Sequence, residues 1–357
     1  MKAVRYHSYG DSGVLVYEDA DRPVAGAGQV VVEVAGAAFN PVDVAIRAGF
    51  MQQVFPVTFP HIPNFDVAGV IAEVGEGVSG WSAGAAVVAY LPMTAPGAAA
   101  EYAVVPAEAL AAAPRTVELA DAAALPSAGL TAWQSLFEYA GLKAGQTILI
   151  NGAGGAVGGY AVQLASQAGA TVTATGSARS AGRIRSYGAD RIVDYTAIPL
   201  LQAVAGQWFD VVLNLVRTSP EETARLAGLA ADGGTFVSTT TPGPDDAGRG
   251  VRTAQVFACS DAAQLGELVA RVDAGDLKID VAQRRPLADL PAVHDLAAAG
   301  QLPGKTILTP RTRGGYVSKQ QRDANDATLR AEPFNLSSRP HPEPASGLPG
   351  PQRHADG

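Results

Sequence analysis

Residues 147–194 constrain this chain more than any other stretch. Thr147-Ile-Leu-Ile-Asn151 is a short apolar run, the pattern of a strand buried on both faces of a parallel sheet. Gly152-Ala-Gly-Gly-Ala-Val-Gly158 follows, then an apolar-rich helical run, Gly159-Tyr-Ala-Val-Gln-Leu-Ala-Ser-Gln-Ala168. A second strand, Thr171-Val-Thr-Ala-Thr175, comes after Gly169-Ala170. Strand, glycine turn, helix and strand make one βαβ unit. Glycines allow the turn to be tight. They also let backbone N–H groups approach a pyrophosphate at the positive end of the helix. Read strictly, the dinucleotide fingerprint is Ala153-x-Gly155-x-x-Gly158, with alanine at the first glycine position. The candidate cofactor contacts are therefore Gly152, Ala153, Gly154, Gly155, Ala156, Val157 and Gly158. With 40 glycines in 357 residues, an ordinary tight turn is the alternative.

The end of the second strand bears on which dinucleotide is held. An NAD site usually carries Asp or Glu about 20 residues past the fingerprint, bonded to the ribose 2′-hydroxyl. Here the sequence is Thr175-Gly-Ser-Ala-Arg-Ser-Ala-Gly-Arg183, without an acid. Ser177 and Arg179 are the candidates for a 2′-phosphate, because a guanidinium matches phosphate oxygens bidentately. Arg183 is a further candidate. The alternative is that both arginines are solvated residues at a helix start. NADPH is the expected cofactor.

The chain is long enough for two domains. A net charge of −8 argues against a nucleic-acid backbone as the main partner. The first ten residues carry no apolar h-region, and no 18-residue apolar run appears, so neither a signal peptide nor a membrane span is expected. Cys259 is the single cysteine, which excludes an intramolecular disulfide and a thiolate metal cluster. A cytoplasmic enzyme is the expectation.

Residues 1 to about 122 read as mostly β. Val30–Val34, Val67–Val74 and Ala86–Tyr90 are valine-rich strands punctuated by glycine and proline. Ala122–Tyr139 reads as one helix. Strands then alternate with helices at 147–151, 171–175, 191–194, 210–214, 234–238 and 253–258, the pattern of a doubly wound parallel sheet. A helix over 261–274 closes that part. A further helix is expected over Asp289–Ala299 and a last strand over Lys305–Thr309. Residues 311–357 are rich in Pro, Ser, Arg and Gln and read as a disordered tail, with a docking segment for another protein as the alternative.

Several motifs together resemble the medium-chain dehydrogenase/reductase superfamily, and within it the zinc-free quinone oxidoreductase, or zeta-crystallin-like, branch. They are Asn40-Pro-Val-Asp43 with Ile46-Arg-Ala-Gly49, Asp66-Val-Ala-Gly-Val70, Val74-Gly-Glu-Gly-Val-Ser-Gly-Trp81, Ala100-Glu-Tyr102, Leu130-Thr-Ala-Trp133, Val157-Gly-Gly-Tyr-Ala-Val-Gln-Leu164, Gly188-Ala-Asp190 and Gly304-Lys305. The resemblance covers residues 1–310. It implies a parallel Rossmann sheet (123–274) inserted into a mostly-β GroES-like catalytic domain made of 1–122 plus 275–310.

In the zinc-dependent relatives the catalytic metal sits on Cys, His and often Glu. The matching positions here are Asn40, Phe65 and Asp66. Amide and phenyl groups do not replace thiolate and imidazole as zinc ligands, so no metal is expected. The resemblance implies reduction of a quinone or an α,β-unsaturated carbonyl by NADPH. Asn40 is the matched substrate-pocket residue. Asp43, placed with it in the site, is expected to order the loop through Arg47 rather than act as a base. Asn214, ending the fourth strand, and Lys305 complete the expected cofactor contacts. Relatives often carry a proton-donating tyrosine where Met51 stands here, and the strand end Val212-Leu-Asn-Leu-Val-Arg217 stands where they often have Asp and then Gly; Arg217 there meets a polar substrate or the cofactor, or is solvent-exposed. A catalytically idle NADPH-binding protein and a tailoring enoyl reductase are the alternatives to a quinone or enone reductase. A homodimer is the family's expectation.

Overall fold

The computed structural model describes residues 1–310. The expectation of a disordered tail falls on 311–357 and lies outside the described residues.

The chain opens with a small antiparallel pair, β1 (Lys2–Arg5) and β2 (Val16–Asp19). β3 (Gln29–Ala38) follows, and its valines 30 to 32 are wholly buried. Next come helix α1 (Pro41–Arg47), β4 (Asp66–Val74), β5 (Ala86–Tyr90), β6 (Tyr102–Pro106) and β7 (Leu110–Ala112). The expected strands of this half are all present.

The stretch expected as one helix over Ala122–Tyr139 is three pieces: a 3-10 turn (Asp121–Ala124), α2 (Pro126–Trp133) and a π turn (Gln134–Tyr139). Pro126 lacks an N–H and starts a helix rather than continuing one, which separates the first piece from the second. Gln134 turns inward in the third piece, where its amide holds both the N–H and the C=O of Cys259, each at 2.9 Å.

The second half alternates as its sequence pattern requires: β8 (Thr147–Asn151), α3 (Ala156–Gln167), β9 (Thr171–Gly176), α4 (Ala178–Ser186), β10 (Arg191–Asp194), α5 (Leu200–Ala203), β11 (Phe209–Asn214), α6 (Pro220–Ala227), β12 (Ala230–Ser238) and β13 (Arg252–Gln255). These six strands form one parallel sheet in the order β10-β9-β8-β11-β12-β13. The last strand ends at Gln255, short of the expected 258, because the following residues leave the sheet to meet Gln134. α7 (Ala262–Asp273) follows and packs against α2 and β7.

The chain then returns to the first sheet. β14 (Gln283–Pro286) and, after α8 (Leu290–Ala298), β15 (Thr306–Thr309) extend it to the order β14-β15-β3-β4-β5-β7, with β6 also on β3. This sheet is therefore built from both ends of the described chain. Its register matters for the site. Ala38 at the end of β3 pairs with Asp66 at the start of β4 and with Ile307 of β15. Three segments distant in sequence thus open side by side.

Candidate active site

In an open parallel sheet, ligands bind outside the carboxyl ends of the strands where the order reverses. Here that crevice lies between β8 and β11, and the glycine turn Gly152–Gly155 opens onto it. Its residues divide by role. Gly152 has φ of 98°, a left-handed conformation that favours glycine, and a Cβ there would lie 2.9 Å from Val216 Cγ2. A Cβ on Gly158 would fall 2.3 Å from Gly152 O, so this glycine allows α3 to press on the turn. Gly155 caps α3 and is exposed; a Cβ there would meet only Gly152 O, at 3.5 Å. Ala153 is buried, and Gly154, Ala156 and Val157 are half-buried at the crevice. A helix leaves its first amides without partners of their own, so the α3 start beside bare Gly155 fits a pyrophosphate.

Asn214 is fully buried beneath the turn. Its Oδ1 accepts from Asn151 Nδ2 (2.9 Å), and its own Nδ2 donates to Val216 O (3.0 Å) and Thr218 Oγ1 (3.2 Å). Its side chain therefore ties these loops together. Asn151 in turn accepts from Thr175 Oγ1, which accepts from Gly152 N. This network ties the ends of β8, β9 and β11 together.

At the end of β9 the three cofactor-specificity candidates separate. Ser177 is the half-buried N-cap of α4, its N–H donating to Ser180 Oγ (3.1 Å). Arg179 is exposed, and its guanidinium has no ion pair or hydrogen bond among the described residues. Arg183 is committed elsewhere, to Gly154 O (2.8 Å) and Asp280 Oδ2 (2.6 Å), which removes it as a free phosphate ligand.

The second half of the site is a buried polar cluster where β3, β4 and β15 open. Asp66 is wholly buried. Its Oδ1 accepts from Ser127 N (2.7 Å), and its Oδ2 from Ser127 Oγ (2.6 Å) and Asn40 Nδ2 (2.8 Å). The Lys305 ammonium, 4% exposed, lies 3.4 Å from Asp66 Oδ2 and donates to Asn40 Oδ1 at 2.7 Å. An ammonium only donates and a carboxylate only accepts, so these two neighbours fix which way the Asn40 amide points. Its second N–H has only a marginal 3.5 Å contact with Ala38 O.

Asp43 sits under Asn40, 3% exposed. Its Oδ2 accepts from Asn40 N (2.8 Å) and Asn64 Nδ2 (3.1 Å). Burial, reinforced by the charge of Asp66 and opposed by these bonds, pushes its carboxyl up to about 7. The expected pairing with Arg47 is absent, and Arg47 Nε is buried without a partner. Asn64 has φ of 67°, which an asparagine tolerates better than most side chains. Phe65 packs on Tyr90, ring centroids 5.4 Å apart. Met51 is half-buried in the turn region after α1. Arg217 is exposed in the loop after β11. Ser127, Asn151 and Thr175 had no local signal that would have marked them.

Comparison with known proteins agrees with this geometry. Residues 26–115 match the alcohol dehydrogenase GroES-like domain and residues 187–308 the zinc-binding dehydrogenase family. The chain is 39% identical over 253 residues to the chloroplast envelope quinone oxidoreductase homolog of Arabidopsis thaliana, which covers 69% of this chain and 76% of that one. This chain belongs to the medium-chain dehydrogenase/reductase superfamily, in its quinone oxidoreductase branch.

Two further proteins are also similar. The 2-methylene-furan-3-one reductase of Solanum lycopersicum is 38% identical over 206 residues, 55% of this chain and 52% of that one. The structure of Escherichia coli quinone oxidoreductase complexed with NADPH matches with a TM-score of 0.77 at 25% identity, over 87% of this chain and all of that one. The protein is thus an oxidoreductase of the medium-chain superfamily, and its two large sheets are the superfamily's GroES-like and Rossmann units. Among the described residues no helix is long and apolar enough to cross a membrane.

Proposed function

We propose that this protein is a zinc-independent, NADPH-dependent reductase of quinones or α,β-unsaturated carbonyls. The observation that carries the reading is the Asn40 amide, held at the zinc-ligand position between Lys305 and Asp66 with one N–H nearly free. Asp66 has both oxygens occupied by protein donors, and Phe65 offers no lone pair, so this donor set does not fit zinc. The similar quinone oxidoreductase homolog and furanone reductase support the substrate class. Arg179, without a partner among the described residues and with Ser177 and no acid beside it, supports NADPH over NADH.

When bound, NADPH supplies a hydride from C4 of its nicotinamide. The residues of this chain do the rest. The glycine turn and α3 start hold the pyrophosphate. Hydride addition to an enone or quinone puts negative charge on the carbonyl oxygen, and stabilisation by preorganised donors is usually a large contribution to such catalysis. Asn40 can donate its second N–H to that oxygen, with the Lys305 ammonium behind it. Asp43 fixes the Asn40 backbone. Met51 stands where relatives often carry a tyrosine, and in this reading the proton comes from water.

The experiment is NADPH oxidation by the purified protein, before and after exhaustive chelation, against a panel of quinones, 2-alkenals and enoyl thioesters. Turnover of at least one class, unchanged by chelation, is expected. Activity lost on chelation and restored by zinc would reject the metal-free chemistry. A protein that binds NADPH but turns over nothing in the panel would be the idle binding protein instead.

A further inference from the structure

Arg183 bridges two backbone regions that belong to different halves of the molecule. It lies on α4 one turn past Ser180, and both side chains face the glycine turn. A Cβ on Gly154 would stand 3.0 Å from Ser180 Oγ, while Arg183 donates to the Gly154 carbonyl at 2.8 Å. Its other amino group reaches Asp280 at 2.6 Å. Asp280 belongs to the segment that leads from α7 back to β14, out of the parallel sheet and into the catalytic one. α3 holds the same segment at two more points. Gln163 accepts from Lys278 N (2.7 Å) and donates to Lys278 O (3.2 Å), and Gln167 donates to Asp276 O (2.6 Å). Two residues past Asp280, Ala282 N donates to Lys305 O at 2.9 Å. The Lys305 ammonium then holds Asn40.

A series of short contacts therefore runs from Gly154 through Arg183, Asp280, Ala282 and Lys305 to Asn40. Gly154, Gly155, Arg183, Asp280 and Lys305 also border one cleft. An exposed ion pair alone would contribute little. The distinguishing feature is that one planar guanidinium makes both contacts, which a lysine ammonium, a single point charge, does less well.

We propose that Arg183 is a positioning residue that couples the cofactor's phosphate turn to the catalytic amide of Asn40, through Asp280 and Lys305. The proposal rests on the reading that NADPH occupies the Gly152–Gly158 turn. Fixing Gly154 on a bound pyrophosphate fixes Arg183, which holds the crossing segment and with it Lys305. Coupling is reciprocal, so a ligand held by Asn40 also tightens NADPH binding.

The test measures NADPH affinity by fluorescence titration, and steady-state kinetics with one accepted quinone, for wild type, Arg183→Ala, Asp280→Asn, the double variant and Arg183→Lys. Each of the first two variants is expected to weaken NADPH binding about fivefold, with the double variant no worse than the weaker single one. Both should also lower kcat at saturating NADPH, because Asn40 is less firmly held. Arg183→Lys should recover part of each loss. Multiplicative losses in the double variant would show that the two residues act independently and overturn the proposal. So would an unchanged kcat at saturation, which a merely local support of the turn predicts. Asp280→Asn is isosteric and exposed, so it tests the coupling even if Arg183→Ala folds poorly. A wild type that binds neither NADPH nor NADH would remove the cofactor reading itself. A wild type that binds, with variants that match it, would overturn the coupling alone.

Discussion

The Lys305 ammonium lies 2.7 Å from Asn40 Oδ1, across 265 residues of sequence. It is also the cation facing Asp66, a carboxylate with no solvent exposure. Removing one partner of a buried pair leaves the other charge uncompensated, which typically costs far more than the pair contributes. Lys305→Met is therefore expected to lose about 3 kcal/mol of stability by urea unfolding. Turnover should fall further than the stability loss explains, because the Asn40 amide is then free to rotate. Stability within 1 kcal/mol of wild type would mean that Ser127 and Asn40 alone satisfy Asp66.

Two glycines of the turn should respond differently to the same substitution. A Cβ on Gly158 meets the Gly152 carbonyl at 2.3 Å and Ala153 Cα at 2.5 Å, both backbone atoms that cannot step aside. Gly158→Val should fail to give soluble, folded protein. A Cβ on Gly155 faces the crevice. Gly155→Val should keep the wild-type circular dichroism spectrum and lose NADPH binding. A Gly155→Val protein that binds NADPH as wild type does would place the pyrophosphate elsewhere.

Acid should destabilise this fold through two histidines. Burial pushes the imidazole of His61 down to about 4, and burial with the nearby Arg47 charge pushes that of His294 down to about 3. In the unfolded chain both titrate near the usual value of about 6.5. Between these limits the unfolded state binds the extra protons, so stability is lost as pH falls from 6.5 through 4 and then 3. The slope is roughly 1.4 kcal/mol per pH unit for each group. Asp43 acts the other way, since its folded value of about 7 makes its contribution fall as pH rises through that range. His294 is wholly buried beside Phe39, and neither ring nitrogen has a partner. His294→Leu should therefore raise stability at pH 7 by about 1 kcal/mol and flatten the acid limb. A steeper acid limb, or a less stable protein at pH 7, would mean that the ring is satisfied in solution.

The parallel sheet was legible because its information is local: apolar runs of strand length, glycine turns and helical periodicity recur within each βαβ unit. The polar cluster was only half legible. Asn40, Asp66 and Lys305 stand in recognisable motifs, yet what joins them is the pairing of Ala38 with both Asp66 and Ile307, which no local pattern specifies. Ser127 was invisible because half of its role is a backbone N–H. Asp43 and Arg47 have the spacing of a helical ion pair, but Asp43 lies in the first turn and bends back to the Asn40 N–H instead.

Cofactor choice is expected to turn on Arg179. It stands three residues beyond Gly176, on the first turn of α4, exposed and without a partner among the described residues, while Arg183 on the same helix is already held by Gly154 and Asp280. That division leaves one free guanidinium where the adenosine ribose lies in a sheet of this kind. A 2′-phosphate gains a charge-assisted, bidentate contact there, worth about one to two powers of ten in affinity, and NADH has no group to gain it. Wild type should therefore prefer NADPH. Arg179→Ala should raise the Michaelis constant for NADPH about tenfold or more while leaving that for NADH nearly unchanged. Arg179→Glu should go further, repelling the phosphate and offering the carboxylate that a free 2′-hydroxyl bonds. Arg183→Ala serves as the contrast, because it should weaken both cofactors alike through Gly154. The measurement is steady-state kinetics of the three variants with each cofactor and one accepted quinone. Equal losses for the two cofactors in Arg179→Ala would show that this arginine supports the fold and does not read the phosphate. A wild type that prefers NADH would reject the assignment without any variant.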